Sequence, residues 1–300
     1  MMDAPADCGN AWCWAIRYHE GTGADHEIQE GVGMLTREEL QKGLKPIADG
    51  LFGKQRSSGF VLPKVEMVPL AEMLRDLTVL KPSDWCGYVF SREPLNGKLT
   101  DPQRQKWMKE ALACGREYAA MMRDKYGVSE PERLGTAMGM HIEYPDFPEK
   151  TDRVLFAEFR EPSNIRIYMD AVNKANQLLE EPEIREIMTD SLRVADLLLA
   201  HELFHMVEET YRTQIYTRQE KIRLWSLGPL HNDSCIIALS EIGAMGFAWE
   251  LTGIPYAPWV MDVFLVYGYS SQEAAALYHE IMSLAGKGKE RNKDEYQNSI

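Results

Sequence analysis

The chain has 300 residues, room for one large domain or two modest ones, and its 45% hydrophobic content is that of an ordinary globular protein. A formal net charge of −13 argues against a nucleic-acid partner, because such proteins gain affinity by neutralising phosphates with Lys and Arg. The run from Met1 to Asp7 lacks the basic and apolar stretches of a secretory signal, and no window approaches 18 continuous apolar residues, so no membrane segment and a cytoplasmic location are expected.

Five scattered cysteines, Cys8, Cys13, Cys86, Cys114 and Cys235, form no C-x-x-C pair, so neither a disulfide framework nor a thiolate zinc site is indicated. Lys54, Arg56 and Lys64 read as a solvated charge cluster.

Residues 1–99 are rich in Gly and Pro and read as an irregular N-terminal extension or small subdomain. Within it the spacing predicts a helix over 70–80 and a β-like run over 60–68. From Thr100 the pattern sharpens: Asp101 is the expected cap and Pro102 the first helical residue of a long helix. Trp107, Ala111, Tyr118, Met122 and Tyr126 fall on one stripe of it, and Gly127 ends it. Ser129-Glu130-Pro131-Glu132 has the form of a capping box for a short helix to about Ala137.

The period then changes to two, predicting strands over 140–144, 154–159 and 165–170. Helices follow over 173–180 and 182–188, then one over 192–211 capped by Asp190 or Ser191, then one over 234–251 stopped by Gly253. Ser270 or Ser271 opens the last helix, through Leu284, and a charged tail covers 286–300. The fold class expected is α+β, mostly helical with a small sheet. One domain spans residues 100–285.

The helix predicted over 192–211 carries His201-Glu202-Leu203-Phe204-His205, an H-E-x-x-H sequence. Residues four apart lie one turn above each other on the same helix face, so the two imidazoles converge on one point and can share a metal ion. Glu202 is placed to take a proton from an activated water and pass it to a leaving amine. A catalytic zinc wants a third protein ligand and an open position, and Glu208, Glu209, His231 and Glu241 are the candidates.

Glu208 lies on the histidine face but about 10 Å from His201 along the axis, too far to share the ion, and reads best as a solvated charge, less well as an outer acceptor. Glu241 sits in an apolar segment, Ser240 to Ala248, where a buried acid needs a partner. Gly243, Ala244 and Gly246 in that segment allow close approach to the motif helix. His231, in the turn expected over 229–233, is a candidate stabiliser of the developing oxyanion, as are Tyr211 and Tyr216.

These segments resemble the ImmA/IrrE metallopeptidases, intracellular zincins with a gluzincin-like ligand set. The likeness covers roughly residues 101–285: Lys125-Tyr126-Gly127-Val128, Pro131-Glu132-Arg133-Leu134, Leu198 to His205, and Glu241-x-x-Ala244-x-x-Phe247-Ala248. Phe204 stands where the family has Gly. The resemblance implies a zincin-like core and one zinc on His201, His205 and Glu241. It also implies hydrolysis of a peptide bond in a cytosolic protein, often a repressor, with an extended substrate held along a sheet edge, for which residues 165–170 are the candidate.

The alternative is a non-catalytic, metal-stabilised zincin-fold interaction or sensor module, suggested by Phe204 and by the unmatched residues 1–100. A di-iron carboxylate protein would need a second E-x-x-H, and Glu202 to His205 is the single instance.

Overall fold

The computed structural model describes residues 65–148, 155–227 and 230–287, together with the backbone of 12–15. Of the β-like run expected over 60–68, residues 65–68 form no strand and 60–64 lie outside the described residues, as do the basic cluster at 54–64, His19, His26 and the tail from 288.

In chain order the elements are β1 (Trp12–Ala15), α1 (Leu70–Thr78), α2 (Cys86–Ser91), α3 (Asp101–Tyr126), α4 (Pro131–Ala137), β2 (His141–Glu143), β3 (Leu155–Arg160) and β4 (Asn164–Ile167). There follow α5 (Met169–Leu178), α6 (Pro182–Met188), α7 (Val194–Thr210), α8 (Tyr216–Gln219), β5 (Lys221–Leu227), β6 (Leu230–Cys235), α9 (Ile237–Thr252), α10 (Val260–Tyr267) and α11 (Ser271–Leu284). The described chain is mostly helical with a small sheet, as the periodicities predict.

Local chemistry sets most boundaries, with some corrections. The cap of α3 is Thr100, not Asp101: its hydroxyl accepts from the Gln103 N–H while Gln103 accepts from the Thr100 N–H, a reciprocal pair that leaves Asp101 and Pro102 inside the first turn. Gly127 closes α3 at φ 69°, a left-handed conformation that suits glycine. Ser129 does not cap α4; Glu130 is the N-cap residue without a side-chain bond, and Pro131 opens the helix. Neither Asp190 nor Ser191 caps α7, which starts at Val194 after Arg193. Ser270 caps α11 as expected, accepting from the Glu273 N–H.

The main sheet has the order β1-β3-β4-β2, with β3 antiparallel to both β1 and β4, and β2 parallel to β4. The segment expected as an edge, 165–170, is therefore not one: β4 is bonded on both sides, and Met169 and Asp170 already belong to α5. Edges fall to β1 and β2. A second sheet, the hairpin β5–β6, lies where a turn and the start of a helix were expected.

α7 lies under the main sheet, and α9 packs along both α7 and α3. Both α7 and α9 are buried nearly all round, as befits helices that are apolar on every side. The approach of α9 to α3 is backbone to backbone. A Cβ on Gly115 would lie 1.9 Å from the Gly243 carbonyl oxygen, and one on Gly246 would lie 2.4 Å from that of Leu112. The small residues of α9 thus serve α3 as much as the motif helix, and Gly243 alone makes room for α7, because its Cβ would meet the Phe204 ring at 2.5 Å.

Residues 68–99 contribute Met73, Leu74, Leu77, Trp85 and Phe90 to the same hydrophobic cluster as α3, α7 and α9. The boundary expected at residue 99 therefore coincides with no break in the core.

Candidate metal centre

α7 presents His201 and His205 one turn apart, and α9 crosses it to bring up Glu241. The two Nε2 atoms are 3.3 Å apart, Glu241 Oε2 lies 3.4 Å from His201 Nε2, and Oε1 lies 4.0 Å from His205 Nε2. Among the described residues this is the one group of three metal-capable side chains whose ligand atoms all lie within 4.8 Å of one another. Both histidines are fully buried, whereas the Glu241 side chain is 34% exposed, so the cluster opens to solvent at the carboxylate.

A tetrahedron built on bonds of about 2.0–2.1 Å has edges of about 3.3–3.4 Å, the separations that His201 makes with its two neighbours. The residues could hold a metal ion, and two of the three separations match such an edge while the third, 4.0 Å, is longer. Burial favours the neutral form of both imidazoles. At His201 the hydrogen bond to Glu241 and the charges of Glu241, Glu202 and Asp262 outweigh it, and the pKa stands above the ordinary value. At His205 burial prevails over Glu241, with His201 and Arg218 adding to it, and the pKa falls to about 3. A neutral His205 offers a lone pair to a metal.

Glu202 is fully buried on α7, near enough for its charge to act on His201. Glu208 corrects the sequence reading. It is not a solvated charge but fully buried, accepting from Thr217 Oγ1 and, at 2.7 Å, from Ser240 Oγ, with Arg218 Nε 3.2 Å away. Burial pushes its carboxyl up, and Arg218 and the two hydroxyls pull against that. Ser240 Oγ also lies 3.3 Å from His205 Nδ1. Helix rise excluded Glu208 from the ion and said nothing about its reaching a ligand from behind. Glu209 faces outward to Arg212 and Arg218.

The structure does not bring His231 into the cluster. It is exposed on β6, opposite Ser226, with Asp233 Oδ2 3.5 Å from its Nε2. Tyr211 ends α7, its ring against Tyr118 and its hydroxyl accepting from Lys125 at 3.4 Å. Tyr216 has a buried hydroxyl whose pKa is raised by that burial and by the acids Glu110 and Glu220. His141 bonds Glu143, and His279 meets the Glu66 carbonyl.

One supporting residue lay beyond sequence reasoning. α9 has no side-chain cap of its own, and Glu93, buried, accepts from the Ala238 N–H at 3.0 Å and from the Leu95 N–H at 3.0 Å. A carboxylate at a helix N-terminus satisfies an orphan N–H and complements the helix dipole. It does so here one turn ahead of Glu241. No family, no curated protein and no solved structure matches the chain.

Proposed function

We propose that the protein is a zinc-dependent metalloendopeptidase with a zincin-like core, hydrolysing a peptide bond in a protein substrate such as a repressor. The observation that carries this is the pair of 3.3 and 3.4 Å separations that meet at His201 Nε2, in a cluster of two buried imidazoles and a partly exposed carboxylate. That donor set suits zinc, and three protein ligands leave one position for substrate or water. His201, His205 and Glu241 would hold the ion, which when bound would supply Lewis acidity. Glu202 accepts the proton of the attacking water and returns it to the leaving amine.

With β4 interior, the main sheet keeps edges at β1 and β2, and the hairpin offers further strand edges for an extended peptide. Among the described residues β5 and β6 pair with each other alone, and β6 leads directly into α9 and Glu241. The outer edge of β3, by contrast, is covered by β1. That covering favours the second reading, an interaction module that binds metal without hydrolysing a substrate.

Metal analysis and a peptide-cleavage assay separate the two. The expected result is about one zinc per chain, lost in His201→Ala and in Glu241→Ala, with Glu202→Gln retaining zinc and losing turnover by about 10²–10⁴-fold. Zinc content unchanged by the ligand substitutions would refute the site. Zinc binding with no turnover in the unaltered chain would leave the interaction module.

A further inference from the structure

We propose that Ser240 and Glu208, with Arg218 as the ion-pair partner of Glu208, are positioning residues for His205, a hydrogen-bonded relay from Glu208 through Ser240 that fixes the proton of His205 on Nδ1 and so keeps Nε2 free to bind the ion. This rests on the metal-site reading above.

The donors and acceptors can be assigned from the contacts. Glu208 is approached by Thr217 Oγ1 at one oxygen and by Ser240 Oγ and the Arg218 guanidinium at the other. A hydroxyl donor at each oxygen, with the Arg218 charge paired beside one of them, leaves the carboxylate an acceptor. Ser240 has a single hydroxyl proton, and at 2.7 Å Glu208 takes it. What Ser240 turns toward His205 Nδ1, 3.3 Å away, is then an oxygen lone pair, which calls for an N–H on that ring nitrogen. A ring protonated on Nδ1 has its lone pair on Nε2, the atom that faces His201 and Glu241. A ligating histidine fixed in this way by a second hydrogen bond is a general feature of metal sites.

Placement argues for a role beyond packing. Glu208, Ser240 and Thr217 are buried with His205, and the Arg218 side chain is 14% exposed, so the carboxylate lies in an interior where a charge is costly unless paired, as it is with Arg218 and the two hydroxyls. It also spans three elements. Glu208 comes from the motif helix one turn past His205, Thr217 and Arg218 from α8, and Ser240 from the residue beside the third ligand. The same turn of α9 therefore supplies one ligand and orients another.

Two measurements on the full chain test it. In the metal-free protein, ¹⁵N NMR of the histidine rings should find His205 protonated on Nδ1, and Ser240→Ala should shift it toward the Nε2–H form. By chelator competition, Ser240→Ala and Glu208→Gln should weaken zinc binding about 10–100-fold, with Ser240→Thr restoring most of it. An Nε2–H tautomer in the unaltered protein overturns the relay, and needs no variant to fold. So does zinc affinity within twofold of the unaltered chain in Ser240→Ala. A chain that binds no zinc removes the metalloenzyme reading instead, while the tautomer still decides the relay.

Discussion

Glu208 and Glu273 are both fully buried carboxyls, and they differ in company. Glu208 has two hydroxyls and a guanidinium, whereas neither Glu273 oxygen has a hydrogen-bond partner among the described residues. Burial alone raises the Glu273 pKa to about 8 from an ordinary 4.5. The folded chain therefore keeps a proton there that the unfolded chain releases above pH 4.5. Stability from this group is present at low pH and is lost as pH rises from about 4.5 through 8, because the folded state binds more protons in that window. At about 1.4 kcal/mol per unit, the loss amounts to at most a few kcal/mol. Glu273→Gln, neutral at every pH, should gain stability over the unaltered chain as pH is raised from 5 to 9. Urea unfolding at the two ends measures it, and a difference that stays flat across the window contradicts the buried-acid account.

At the scale of elements, the contact between α7 and α9 depends on an exchange of volume between Phe204 and Gly243. The Phe204 ring fills the space that a side chain at 243 would need, and Thr217 closes the same space at 3.0 Å. Gly243→Ala should therefore cost about 1–3 kcal/mol from overpacking and push Glu241 away from the histidines. In a Phe204→Leu background the same substitution should cost less, since the atom it strikes is gone. A double-mutant cycle in denaturant measures the coupling, and additive effects would show that the ring and the glycine are independent.

This contact also shows where the sequence was legible. α3 announces itself by Pro102, its apolar stripe and Gly127, and α11 by its Ser270 cap, while α7 shows in its apolar run though not in the caps expected for it; H-E-x-x-H with the acid of α9 names the three side chains that meet in the cluster. α10 escaped because Val260 to Tyr267 is apolar but for Asp262, and a single polar residue gives no period to read. The hairpin escaped although Ile222 and Leu224 alternate with Lys221 and Arg223, because the following residues read as a turn. The burial of Glu208 and the cap from Glu93 are tertiary facts. Each depends on a partner far along the chain that no local window contains.

For the molecule as a whole, residues 65–99 stand closer to the site than their irregular composition suggests. α1 and α2 place Met73, Leu74, Leu77 and Phe90 in the shared core, and Trp85 stacks on Trp259 with ring centroids 6.1 Å apart. Tyr88 donates to Asp262 at 2.8 Å, the acid whose charge reaches His201, and Glu93 caps the helix that bears Glu241. A chain beginning at residue 100 would expose that core surface and leave the first turn of α9 without its cap, losses of several kcal/mol against a stability of about 5–15 kcal/mol. Such a chain should be poorly folded and bind zinc weakly. The milder Glu93→Gln keeps the shape and removes the charge, so it should fold, lose about 1 kcal/mol and bind zinc less tightly through α9 alone. Circular dichroism and chelator competition on both chains test this. A chain from residue 100 that melts cooperatively and holds zinc as the full protein does would make residues 65–99 a dispensable cover. If instead Glu93→Gln alone weakens the metal, the N-terminal third helps to build the centre by holding one of its ligand helices in place.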